Sequence, residues 1–123
     1  MRWLVDGMNV IGSRPTGWWR DRPGAMRTLA EELGRFAERS GDRVTVVFDG
    51  APFDLDAKPG VTVLFASRRG RNAADDDIAA IVESDADPAD LSVVTSDADL
   101  ARRVRDAGAT VLGAGEFRRR LDA

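Results

Sequence analysis

Arg2-Trp3-Leu4-Val5-Asp6-Gly7 is a short apolar run that ends on an aspartate and a turn signal. The same order of residue types returns at Val44-Thr45-Val46-Val47-Phe48-Asp49-Gly50 and at Leu91-Ser92-Val93-Val94-Thr95-Ser96-Asp97. Runs of this kind, bounded by turn residues and without polar alternation, read as strands buried on both faces. Val61 to Phe65 and Thr110 to Leu112 add two more. Between them the apolar residues take up a three-and-four spacing. Met26, Leu29, Ala30, Leu33, Phe36 and Ala37 predict a helix over 24–40, ended by Gly41. Ile78, Ile81 and Val82 predict one over 73–84, and Leu100, Ala101 and Val104 one over 97–107, with a final helix over 116–121. Residues 12–23 and 51–60 read as loops, and Asp6-Gly7 and Asp49-Gly50 as turns. Strands separated mainly by helices predict an α/β sandwich with a mainly parallel central sheet, in one domain over 1–123.

Composition excludes more chemistry than any motif does. The 123 residues contain neither cysteine nor histidine. Disulfides, zinc-thiolate sites, cysteine nucleophiles and every Ser-His-Asp or Cys-His arrangement are therefore absent, and carboxylates remain as the chemically able groups. A net charge of −3 does not decide the partner, because a bound cation reverses the sign of a local acidic site. No apolar run is long enough to span a membrane, and the first strand follows Met1 with no room for a signal peptide. The expectation is a cytoplasmic protein that does not engage a bilayer.

Ligands of parallel sheets sit outside the carboxyl ends of the strands. Asp6, Asp49 and Asp97 each follow an apolar run, so all three should stand on that edge. The helix over 73–84 supplies a fourth. At 100° per residue, Asp75 lies about 70° from the centre of the Ile78, Ile81, Val82 face, Asp77 about 90°, and Asp76 nearly opposite, so Asp75 should lean inward. The bland reading is that these residues are caps and turns, with Ser96 and Asp99 forming a capping box at the third helix. Four carboxylates on one edge would repel, and a cation would be needed to keep them ionised. An all-oxygen donor set suits Mg2+ or Mn2+.

Val5-Asp6-Gly7-Met8-Asn9-Val10-Ile11, Val46-Val47-Phe48-Asp49-Gly50, Ala74-Asp75-Asp76-Asp77-Ile78 and Val93-Val94-Thr95-Ser96-Asp97 resemble, in order, the motifs of the NYN branch of PIN-like nucleases, and within it the YacP-like ribonucleases. The resemblance implies a PIN-like, Rossmann-like three-layer sandwich and a metal-dependent endoribonuclease. It puts Asp6, Asp75 and Asp97 at the catalytic, metal-binding positions and makes Asp99 a further metal ligand through a T-x-D-x-D pattern. Asn9 and Asp49 take supporting places. The chain departs from the family at Met8, where an aromatic is usual, and in ending just after the final short helix.

RNA would be the partner, single-stranded or looped, with phosphates met by Arg14, Arg20, Arg68 and Arg71 and a base stacked on Trp18. Arg118, Arg119 and Arg120 read instead as a solvated helix end. Other aspartate-based folds fit less well. Asp6-Gly7-Met8 lacks the second aspartate of a haloacid-dehalogenase phosphatase, the single Lys58 is misplaced for a receiver domain, and no G-x-G-x-x-G follows the first strand. A non-catalytic RNA-binding module, or a toxin-like subunit controlled by a partner protein, shares the same motifs, and a homodimer is equally open.

Overall fold

The computed structural model describes residues 1–70 and 72–123. Five strands form one sheet in the order β3-β2-β1-β4-β5: β1 Arg2–Asp6, β2 Arg43–Phe48, β3 Val61–Phe65, β4 Leu91–Val94 and β5 Thr110–Leu112. Every pairing is parallel, with Val5 opposite Val46 on one side and Val94 on the other. Helices α1 (Gly7–Gly12), α2 (Arg22–Ser40) and α5 (Ala114–Asp122) cover one face; α3 (Ala73–Ser84) and α4 (Ala98–Asp106) cover the other. This is a three-layer α/β sandwich, as expected.

Alternation within the central strand divides the core. Trp3 and Val5 join Leu29, Leu33, Phe36 and Phe117 on the α2 face, whereas Leu4 joins Val47, Ile78, Val82, Leu100 and Val104 on the α3 face. Each fully buried Leu, Val or Phe contributes roughly 1.5–3 kcal/mol of transfer free energy, so two opposed apolar faces fix the strand register. Because β1 lies between β2 and β4, the direction of chain progression reverses at β1, and the crevice above that reversal is where such sheets bind ligands.

One expectation fails locally. Asp6-Gly7 is not a turn: Gly7 begins α1, and a Cβ there would lie 2.5 Å from the Phe48 ring, so glycine is required by close approach to β2. The expected loop 12–23 also contains a 3-10 turn at Trp18–Arg20, and α2 begins at Arg22 because Asp21 caps it, its Oδ1 accepting from Gly24 N at 3.0 Å. Among the described residues no helix is long and apolar enough to cross a membrane.

Candidate active site

β1 delivers Asp6 to the carboxyl edge of the sheet, and the packing around it leaves the side chain only 5% exposed. A lone carboxylate there would be costly. Its Oδ2 accepts a hydrogen bond from Thr95 Oγ1 at 3.0 Å, yet burial still dominates and pushes the carboxyl up to about 7. The negative charges of Asp75 and Asp49 push the same way, while the Thr95 hydroxyl and the backbone N–H of Asn9 oppose. Asp75, from the first turn of α3, is also raised, by burial first and then by the charges of Asp97, Asp49 and Asp76, with Arg103 opposing. Asp6, Asp49, Asp75 and Asp97 thus share one electrostatic neighbourhood on one edge.

Two of the four have structural duties as well. Asp97 is the N-cap of α4, its Oδ1 accepting from Leu100 N at 2.9 Å, and so the expected Ser96–Asp99 capping box is not formed. Ser96 Oγ accepts instead from Ala114 N at 2.9 Å, which ties α5 to the end of β4. Asp49 Oδ1 accepts from Ala74 N at 3.1 Å across 25 residues of chain. Asn72, the residue before α3, is in the left-handed region at φ 61 and makes no side-chain cap, so Asp49 takes over that function from a different strand. The helix that carries Asp75 is thereby fixed to the end of β2.

Asn9 Oδ1 accepts from Ser96 N at 2.9 Å, joining α1 to the β4–α4 connection. Thr95 was given no role by sequence reasoning, although it opens the T-x-D-x-D pattern directly after β4. It is 2% exposed and uses its one hydroxyl twice, donating to Asp6 and accepting from Asp97 N at 3.1 Å. Asp76 and Asp77 turn away from the cluster: Asp76 pairs with Arg68 and with Arg103 at 2.9 Å, and Asp77 Oδ1 accepts from Ser67 Oγ at 2.7 Å. Asp99 does not join the cluster's buried part; its side chain is 90% exposed and lies 3.7 Å from Arg102.

The residues expected to meet RNA are distributed unevenly. Arg14 is paired with Asp122, Arg68 is committed to Asp76, and Arg20 is exposed at the end of the 3-10 turn. Trp18 is half-buried against the core, with the Arg22 guanidinium 5.9 Å from its ring, whereas Trp19 is 58% exposed. Arg71 lies outside the described residues. At α5 the expected solvated end is corrected: Arg118 is buried and donates to Glu32 at 2.7 Å, because α5 packs against α2 there.

The donors at the edge are all carboxylate oxygens, crowded and short of cations, which is the chemistry that hard divalent metals satisfy. Among the described residues, however, no three carboxylates stand close enough together to hold one ion. Asp97, half-exposed and with one oxygen committed to the cap, has Oδ2 to offer; Asp75 is half-exposed as well.

Two solved structures share this arrangement of elements. Rae1 (YacP) from Bacillus subtilis superposes with a TM-score of 0.81 and a point mutant of it with 0.78; each is 25% identical, over 99% of this chain and 74% of that one. No curated protein matches the sequence. The match that spans the sheet, the acidic edge and the helices around it is to the YacP-like NYN domain, over residues 3–123, and the chain belongs to that family.

Proposed function

We propose that this protein is a divalent-metal-dependent endoribonuclease that hydrolyses phosphodiester bonds in single-stranded or looped RNA. The observation that carries the reading is Asp6: a buried carboxyl at the reversal point of the sheet, raised to about 7 by its surroundings and facing the charges of Asp49 and Asp75. Membership of the NYN family and the fold shared with Rae1 support a ribonuclease-type protein at the coarse level.

Asp6, Asp75 and Asp97 would hold Mg2+ or Mn2+, with Asp99 a more distant candidate from the exposed side of α4. The bound ion would supply charge stabilisation on the phosphodiester oxygens and an acidified water. The chain's own residues do the rest. Thr95 keeps the Asp6 carboxylate oriented and opposes part of the rise that burial causes, Asn9 holds the β4–α4 connection that presents Asp97, and Asp49 secures α3 so that Asp75 faces the edge. Arg20, exposed at the end of the 3-10 turn, would meet a phosphate directly, Arg14 and Arg68 would have to exchange Asp122 and Asp76 for one, and Arg71 is a further candidate from the sequence.

One observation favours the other reading, a non-catalytic RNA-binding module or a subunit controlled by a partner: the carboxylates are not gathered tightly enough for an ion among the described residues. Labelled single-stranded RNA incubated with the protein and Mn2+ separates the two. Internal cutting that stops on chelation and is abolished in Asp75→Asn, with the fold intact, supports the nuclease. Binding without cutting across varied RNAs supports the module.

A further inference from the structure

The edge continues past Asp49 into a different kind of surface. A cavity of about 320 Å³ opens between the first turn of α2 and the segment that follows β2. Pro23 and Met26 line it from the helix, and Ala51 and Phe53 from the segment; Asp49 and Arg22 are the charged groups among its lining residues. Phe53 is half-buried and held in place, 5.5 Å from Phe65 in an edge-on arrangement and with the Arg27 guanidinium 5.1 Å from its ring centre. Met26 is only 4% exposed and forms a firm wall. The volume is that of a small-ligand site, and the walls are apolar and partly aromatic.

The occupant has to satisfy both parts of the surface. A free phosphate does not: apart from Arg22 the lining side chains offer it no donors, and Asp49 repels it. A purely aliphatic ligand leaves Asp49 and Arg22, the charged groups of the lining, without a partner. A nucleobase does, because its faces are flat and weakly polar while the backbone it hangs from carries the phosphates that belong on the neighbouring edge. Arg22, shared between the rim of this cavity and the ring of Trp18, is positioned for such a phosphate. Asp49 is common to the cavity and the acidic cluster, so the two surfaces are continuous.

We propose that this cavity holds one unpaired base of the RNA strand against the Phe53 ring, with Met26 as its floor, while the adjoining phosphodiester lies at the acidic edge. The proposal rests on the RNA reading above and adds a reason for single-strandedness, since a paired base cannot enter. It also moves base recognition from Trp18, whose ring packs on the core, to Phe53.

The test is an abasic scan. Short single-stranded RNAs, each lacking one base at a successive position, are titrated onto Asp75→Asn protein in Mn2+, and onto the same protein also carrying Phe53→Ala or Phe53→Leu, with circular dichroism confirming the fold. Loss of the base at one position should weaken binding roughly tenfold. Phe53→Ala should weaken the intact RNA by a similar factor and remove the penalty at that position, and Phe53→Leu should reduce the penalty while preserving apolar volume. A flat profile in a protein that binds RNA, or a positional penalty unchanged by both Phe53 variants, overturns the base site and leaves the nuclease reading standing. No RNA binding at all by the folded protein overturns both.

Discussion

Thr95 Oγ1 lies 3.0 Å from Asp6 Oδ2 and donates to it in a buried setting, across 89 residues of chain. The same oxygen accepts from Asp97 N, so one hydroxyl sets the orientation of two acidic residues. Replacing Thr95 with Val preserves shape and removes both bonds. Stability should fall by about 1–3 kcal/mol, and more at pH 8 than at pH 5, since the donor stabilises the ionised carboxylate. Urea denaturation at the two pH values measures this; an equal loss at both would mean that the bond does not discriminate between protonation states.

Asp6 makes stability depend on pH in the opposite sense from an ordinary salt-bridged aspartate. Its carboxyl is near 3.8 when unfolded and about 7 when folded. Between those values the unfolded chain has released the proton and the folded chain retains it, so stability declines as pH rises from about 4 to 7 and then levels off. Asp6→Asn, which keeps an acceptor for Thr95, should therefore be more stable than the parent at pH 8, by up to about 4 kcal/mol, with little difference at pH 4. A variant no more stable than the parent at pH 8 would contradict the raised carboxyl.

Mn2+ should reverse that penalty. A cation bound only to the folded state stabilises it by about 2.7 kcal/mol at a hundredfold excess over its dissociation constant. Melting curves at pH 7.5 should shift upward with Mn2+, less so at pH 5, and less again in Asp6→Asn. No shift at millimolar metal would argue against a site on this edge.

For Asp49, the cap and the charge can be separated. Asp49→Asn retains an acceptor for Ala74 N and removes a charge that raises both Asp6 and Asp75, whereas Asp49→Ala loses both functions. The alanine variant should lose about 0.5–2 kcal/mol, and the asparagine variant should keep most of that while lowering the Asp6 carboxyl. Matching destabilisation in the two variants would show that the hydrogen bond to α3 contributes nothing.

The strands and the long helices were legible because burial on both faces and the three-and-four spacing are local patterns. α1 was not, since Asp-Gly is an ordinary turn dipeptide and only the Phe48 ring, from the far end of β2, explains why glycine stands there. The edge positions of Asp6, Asp49 and Asp97 followed from strand ends and a rule of topology. The caps did not: Asp49 on Ala74 N and Ser96 on Ala114 N are pairings between elements, with no trace in spacing. Arg118 misled for the same reason, because its partner Glu32 is on another helix.

The central place of β1 between β2 and β4 has a consequence for the order of events during synthesis. Asp6 is made 89 residues before Thr95, the hydroxyl of which completes its surroundings and orients Asp97. A parallel pairing that closes so long a loop forms late. A chain still in synthesis therefore carries no assembled acidic edge until β4 has joined the sheet.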